Sequence, residues 1–277
     1  MMRTTIKRRL SGVVLLVAAV VALFWGHRQL VPVMRHLAHL TGWFLFAVCL
    51  FLTAYNARKK LPFLPLGSSR TWLQLHAYVG YFSLALFFAH TGWRWPTGAF
   101  EAALASLYLA VAASGVAGLV WSRIVPRRLT ARGCEALYER IPVIRRKLAE
   151  DAEALVLASV ATTRSTAVAD FYKLHLAGFL GRPMNGWRHL ADVRSPLMRI
   201  EASIADLDRF LAPDQRKVLG ELAGMVAQKD GLDYQRSLQL SLKLWLFVHI
   251  PLTYSLLILT VLHVVLVFAF SGGAGAN

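Results

Sequence analysis

The chain has 277 residues, 56% of them hydrophobic, with a mean hydropathy of +0.49, and its repeated apolar stretches of about twenty residues exclude an ordinary soluble domain. Lys and Arg outnumber Asp and Glu 31 to 15, a net charge of +16. Membrane topology and anionic lipid account for that excess, and no basic patch interleaved with aromatics points to nucleic acid. The two cysteines, Cys49 and Cys134, have no CxxC or CxxCH spacing, which excludes a covalent c-type haem and a self-contained iron–sulfur cluster.

The first apolar run, 10–30, follows Arg3, Lys7, Arg8 and Arg9. No small-residue cleavage site follows it, so it reads as a retained helix rather than a signal peptide. The second run, 33–55, ends at Arg58, Lys59 and Lys60, and a connector with Pro62 and Pro65 breaks the helix there. The third run, 72–93, and the fourth, 100–121, flank a short turn containing Arg94, Pro96 and Gly98. The fifth, 242–270, precedes a Gly/Ala tail that reads as disordered.

Basic clusters lie before the first run, between the second and third, and after the fourth at Arg123, Arg127, Arg128 and Arg132. The opposite loops carry only Arg28, Arg35 and Arg94. The amino terminus is therefore expected in the cytoplasm and the carboxyl terminus outside a bacterial-type cytoplasmic (inner) membrane. Residues 122–241 differ in kind, holding fourteen of the fifteen acids and nineteen of the thirty-one basic residues. Apolar positions recur there at helical spacing over 141–161, 166–180, 197–211 and 215–228, with Pro142, Pro196 and Pro213 near the starts. The expected fold is all-α: transmembrane helices one to four in 1–121, a helical cytoplasmic insert in 122–241, and the fifth transmembrane helix with a short outer tail in 242–277.

Histidines carry the functional signal. His76 and His90 lie fourteen positions apart in the third run, and His249 and His263 fourteen apart in the fifth. Fourteen steps at ~100° return to within ~40° of the same helix face and cover ~21 Å of axis. The third and fifth crossings have one crossing between them, so they run parallel. His76 follows Arg70 by six residues and His249 follows Lys243 by six, which matches their depths. The depths pair His76 with His249 and His90 with His263, each pair suited to hold one haem b iron between neutral imidazoles. Structural bonding between helices is the alternative for a membrane histidine, but ionisable groups at depth are more often functional.

Gly80, one turn from His76, leaves room for a flat macrocycle. Arg94 on the outer side and Arg70 and Lys243 on the inner side are candidates for haem propionates, with snorkelling the simpler reading of Lys243. Ser114, Gly115 and Gly118 form a small-residue stripe that suits close helix packing equally well. Pro251 is expected to kink the fifth helix. His27, His36 and His39 cluster at the outer ends of the first two runs, as interface residues, as part of a quinone or proton site, or, for His36 and His39, as ligands to a further cofactor. His175 and His189 read as surface or cap residues. Glu101, the one acid outside the insert, starts the fourth helix, where a carboxylate suits the dipole and could accept a proton.

These four histidines on two parallel helices resemble the dihaem membrane cytochromes b. The fourteen-residue pairs resemble cytochrome b of quinol–cytochrome c oxidoreductases, and their placement on the third and fifth helices resembles the ferric-reductase-type transmembrane domain. The resemblance covers about 70–122 and 242–270. It implies two haems b, a bound quinone, and electron transfer across the membrane between a quinol/quinone pool and partner redox subunits, a multihaem cytochrome c or an iron–sulfur protein. No GxGxxG motif or flavin domain is present. Two alternatives stay open: a transmembrane reductase of external metal ion or oxygen fed by a separate flavoprotein, and a non-redox membrane anchor. The insert has no counterpart in either family and reads as a docking platform.

Overall fold

The computed structural model describes residues 2–34, 37–60, 68–131, 137–184, 186–191, 193 and 195–271. It is all-helical, with no strand among those residues: α1 (Met2–Leu30), α2 (Leu37–Lys60), α3 (Ser69–Thr91), α4 (Ala99–Ala131), α5 (Ile141–Thr163), α6 (Ala167–Phe171), a π-helical turn (Tyr172–Leu176), α7 (Ala177–Gly181), α8 (Gly186–Leu190), α9 (Ser195–Asp208) and α10 (Pro213–Ser271). Five helices, α1 to α4 and α10, are long and apolar enough to cross a membrane. The chain divides into two compact units, Met1–Leu119 with Trp245–Asn277, and Val120–Leu244.

In the first unit, side-chain contacts fix how the helices run. Thr41 meets His90 and Tyr55 meets His76, so α2 and α3 are antiparallel. The Tyr108 hydroxyl donates to Ser83 Oγ at 2.9 Å, and Phe87 stacks on Tyr108 at 4.4 Å, joining α3 to α4. His249 meets Ser114 and His263 meets Phe100, so α4 and α10 are antiparallel. On α1, Gly12 lies under Tyr78, where a Cβ would come within 2.6 Å of the ring, and Phe24 lies against Trp93. Outward faces stay apolar: Val14, Leu15, Trp25, Phe247 and Ile258 are all exposed. Such a surface suits a hydrocarbon solvent.

Local chemistry sets the ends of α3. Ser68 caps the start, its Oγ accepting from the Thr71 N–H at 3.3 Å. Gly92 ends the helix at φ +59°, where its missing Cβ makes the left-handed turn cheap, and its N–H bonds back to Ala89 O. Trp93 follows at φ +61° without that freedom.

The second unit is built on α5, α6, α7, α9 and the first part of α10. Leu148, Ala152 and Val156 of α5 pack with Phe171, Leu176, Phe179 and Leu180, and with Leu219, Leu222 and Val226 of α10. Pro142 sits in the first turn of α5 and Pro213 opens α10, positions where the missing N–H costs nothing.

Several sequence expectations need correction here. The fourth helix does not stop near Trp121 but continues to Ala131. The segment 215–228 and the fifth apolar run are one 59-residue helix, α10, that passes through Pro251 without interruption. The segment 166–180 is not one regular helix, because the π turn inserts a wider step between Phe171 and Leu176, five residues apart and both buried. His189 is no surface residue: it is 4% exposed, with Nε2 3.7 Å from Asp230 Oδ1 and its ring edge-on to Tyr234. The connector 61–67, Cys134 and the tail 272–277 lie outside the described residues.

The interior of the second unit also holds a charge pair. Lys229 Nζ lies 2.7 Å from Asp233 Oδ2, both side chains almost wholly buried, and 3.7 Å above the Phe179 ring. Burial pushes the Lys229 amine below the ordinary lysine range, and Asp233 pulls against it. Asp233 Oδ2 also accepts the Met184 N–H at 2.9 Å, tying 182–184 to α10. Asp233→Ala strands a buried ammonium and is expected to lower stability by about 3–5 kcal/mol. The double change Lys229→Met with Asp233→Leu should recover most of that. Thermal melts of the full chain in detergent test this, and a single variant no less stable than the double one would refute it.

Candidate functional site

The four histidines of the third and fifth runs all fall in the first unit, on α3 and α10. The seven-residue turn 92–98 returns the chain from α3 into α4, so α4 runs antiparallel to α3 as it does to α10, and α3 and α10 run parallel. The fourteen-residue interval repeats on α2, α3, α4 and α10. Thr41 to Tyr55 on α2, His76 to His90 on α3, Phe100 to Ser114 on α4 and His249 to His263 on α10 each span fourteen positions. Contacts therefore fall into two levels about 21 Å apart along the axes. One holds Thr41, His90, Phe100 and His263, and the other Tyr55, His76, Ser114 and His249. Between them lies an apolar layer of Cys49, Phe87, Ala105, Tyr108 and Leu256.

At the first level, His90 Nδ1 lies 3.1 Å from the Ala38 carbonyl. A carbonyl only accepts, so Nδ1 carries the proton. Thr41 Oγ1 lies 3.2 Å from the same nitrogen, while its hydroxyl reaches the Leu37 and Ala38 carbonyls at 3.0 and 3.1 Å. That leaves the Thr41 oxygen to accept from His90. With Nδ1 protonated and occupied, Nε2 keeps its lone pair, the form in which imidazole binds a metal. Gly42 brings α2 close: a Cβ there would sit 2.9 Å from His90 Cε1. His263 stacks over Phe100 with ring centroids 6.2 Å apart.

At the second level, His249 Nδ1 lies 3.2 Å from Ser114 Oγ, and its ring stacks 5.2 Å from Trp245. Gly115 admits the imidazole, with a Cβ there 3.7 Å from His249 Cε1. Gly118 faces Trp245, whose indole N–H donates to Ser114 O at 2.9 Å. The small-residue stripe thus receives two rings of α10. His76 lies 5.0 Å from the Tyr55 ring. Nothing lies within 4 Å of a Cβ built on Gly80, so α3 is open one turn beyond His76.

The remaining sequence candidates divide. Arg94 is exposed in the turn after α3, with no ion-pair partner among the described residues, and Glu101 is exposed in the first turn of α4. Lys243 is engaged in the second unit, 2.9 Å from Glu139 and over the Tyr138 ring. The Arg70 side chain and His36 lie outside the described residues. His39 is exposed on α2, His27 is half-buried in the last turn of α1, and His175 is exposed on the π turn. Sequence reasoning passed over Thr41, Tyr55 and Trp245. Trp245 was legible, one helical turn before His249. Thr41 was not, since its role depends on how α2 lies against α3.

Among the described residues no three His, Cys, Asp or Glu side chains converge as a self-contained metal chelate. Two imidazoles per level suit a metal whose other ligands arrive with it, as in a porphyrin. No protein-family model, curated protein or solved structure matches the chain.

The two hydroxyls differ in what they leave behind. Thr41→Val leaves His90 Nδ1 bonded to Ala38 O, so the loss should be about 0.5–1 kcal/mol, whereas Ser114→Ala strips His249 Nδ1 of its described partner and should cost about 1–3 kcal/mol. Unfolding of the purified full chain measures both, and a Thr41→Val loss as large as that of Ser114→Ala would refute the assignment.

Proposed function

We propose that this chain is a membrane-anchored dihaem cytochrome b, the transmembrane electron-transfer subunit of a quinol/quinone oxidoreductase complex. His76 with His249, and His90 with His263, would each hold one haem b. The observation that carries the reading is the state of His90: its Nδ1 is committed to α2, which leaves Nε2 for a ligand. Open space at Gly80 and the close fit of Gly42 and Gly115 around the imidazoles suit a flat group set between α3 and α10. Iron cycling between two oxidation states supplies the electron transfer when the haems are bound.

The chain's own residues position and insulate. Thr41, the Ala38 carbonyl and Ser114 fix ring orientation and ligand basicity. The apolar layer around Leu256 keeps water from the space between levels. Arginines at 123, 127 and 128 mark the cytoplasmic side, which puts His76 and His249 near the inner face and His90 and His263 near the outer. On this reading residues 122–241 are a cytoplasmic insert, and electrons are exchanged with a quinone pool and with partner redox subunits, a cytochrome c or an iron–sulfur protein.

One observation favours a second reading, a reductase fed by a separate flavoprotein. A cavity of about 760 Å³ lies along α5 in the second unit, lined by Arg145, Arg146 and Lys173 and by Glu150, Glu153 and Asp170. A groove lined by charges of both signs suits a soluble partner. Reduction by NAD(P)H only with that partner, and none by quinol, would select it.

Pyridine haemochrome assay of the purified chain should give two haems b. His76→Ala and His249→Ala should each lose the same haem by redox titration, and His90→Ala and His263→Ala the other. Absence of haem, or loss that crosses these pairs, would overturn the proposal.

A further inference from the structure

The cavity of about 760 Å³ in the second unit is lined by α5 on one side and by α6, the π turn and α7 on the other. That volume falls in the range of small-molecule sites. Six charged side chains line it, three of each sign: Arg145, Arg146 and Lys173, and Glu150, Glu153 and Asp170. Arg146 and Glu150 are four positions apart on α5, a spacing at which opposite charges can pair. Yet none of the six has an ion pair or a side-chain hydrogen bond with a described residue. Val156, Leu157 and Leu180 supply aliphatic walls, and Tyr172 adds a phenol ring.

Two further observations point to a ligand. Arg145 Nη1 is buried with no hydrogen-bond partner among the described residues, a state that costs more for a charged group than for a neutral one. The guanidinium thus holds a donor for an acceptor that no described residue supplies. Tyr172 and Lys173 begin the π turn, an irregularity found frequently at functional sites. A solvated helix face accounts for exposed charges, but not for a buried, unpaired guanidinium nitrogen in a cavity that a π turn also lines.

We propose that this cavity binds a nucleoside phosphate. Two guanidiniums and an ammonium match a phosphate, which accepts paired bonds from Arg. Three carboxylates repel a plain fatty anion and match the hydroxyls of a ribose, a pairing that dinucleotide folds also use. Tyr172 and the aliphatic walls match the flat faces of a base. The inference stands on the second unit alone and is independent of haem in the first. It gives the cavity a different occupant from the flavoprotein reading.

The test uses the full chain in phosphatidylcholine nanodiscs, whose headgroups carry no net charge. Calorimetric titrations with AMP, GMP, CMP and UMP are set beside inorganic phosphate and adenosine. At least one nucleotide is expected to bind near one per chain, at least tenfold tighter than phosphate or adenosine, and to raise the melting temperature. Arg145→Gln should weaken it at least tenfold and abolish that rise. Glu153→Gln, at an exposed position of α5, should weaken it several-fold and serves if Arg145→Gln does not fold. Arg199→Gln, on α9 and outside the cavity, should leave affinity unchanged. No saturable nucleotide binding, or binding that Arg145→Gln and Glu153→Gln leave intact, overturns the site. Phosphate that binds as tightly as the nucleotides reduces the cavity to an anion site and overturns the nucleoside assignment.

Discussion

Imidazole nitrogens half-buried among apolar helices have to find partners, and in the first unit that need ties the helices together. His90 gives one nitrogen to Ala38 and Thr41 on α2, and His249 gives one to Ser114 on α4. Each bond crosses from one helix to the next, so each also sets the height of the neighbour. With both heights fixed at fourteen-residue intervals, the helices are locked in register at two points. Leu256, Tyr108 and Cys49 then fill the space between without choosing it. Net hydrogen-bond energies are modest, but an unpaired group in such a setting is expensive, so register follows the polar minority.

Much of the bundle could be read from the chain. Apolar runs gave five long helices because hydrocarbon thickness sets a length that composition reveals. The spacing of four histidines pointed to two levels because rise per residue is nearly constant. What escaped were features that depend on a neighbour. Thr41 looks like any helical threonine until α2 lies against α3. The end of the fourth helix was misjudged because loss of apolarity at Arg123 marks where lipid would stop, not where hydrogen bonding stops. The same confusion of surface with backbone split α10 in two at 242. In the second unit, the π turn shifted apolar positions off the 3.6-residue period that pattern reading assumes.

His189 shows another limit. A histidine in a Gly- and Pro-rich stretch reads as exposed, because such stretches usually run over a surface. Here α10 presents carboxylates inward at Asp230 and Asp233, and the stretch folds onto them through Met184 and His189. Buried charge, which usually marks a reaction centre, serves here to hold an irregular segment. Such pairs seldom add net stability over apolar replacements. Their effect is to make one docking geometry far better than its neighbours.

The placement of the histidines along the chain also has a consequence for biosynthesis. His90 and His249 are separated by 159 positions (249 − 90), and ribosomes add roughly 5–20 residues per second. For roughly ten to thirty seconds, then, His90 exists without His249. During that interval His90 can already engage α2, while Ser114 and the groove at Gly115 and Gly118 await their rings. Each level is half built until the last helix is made. A newborn chain therefore passes through a stage in which the imidazoles of α3 have none of α10 opposite them. Anything that is to be held between α3 and α10 can be clasped only once α10 has been made, so the order of synthesis sets the earliest moment of binding.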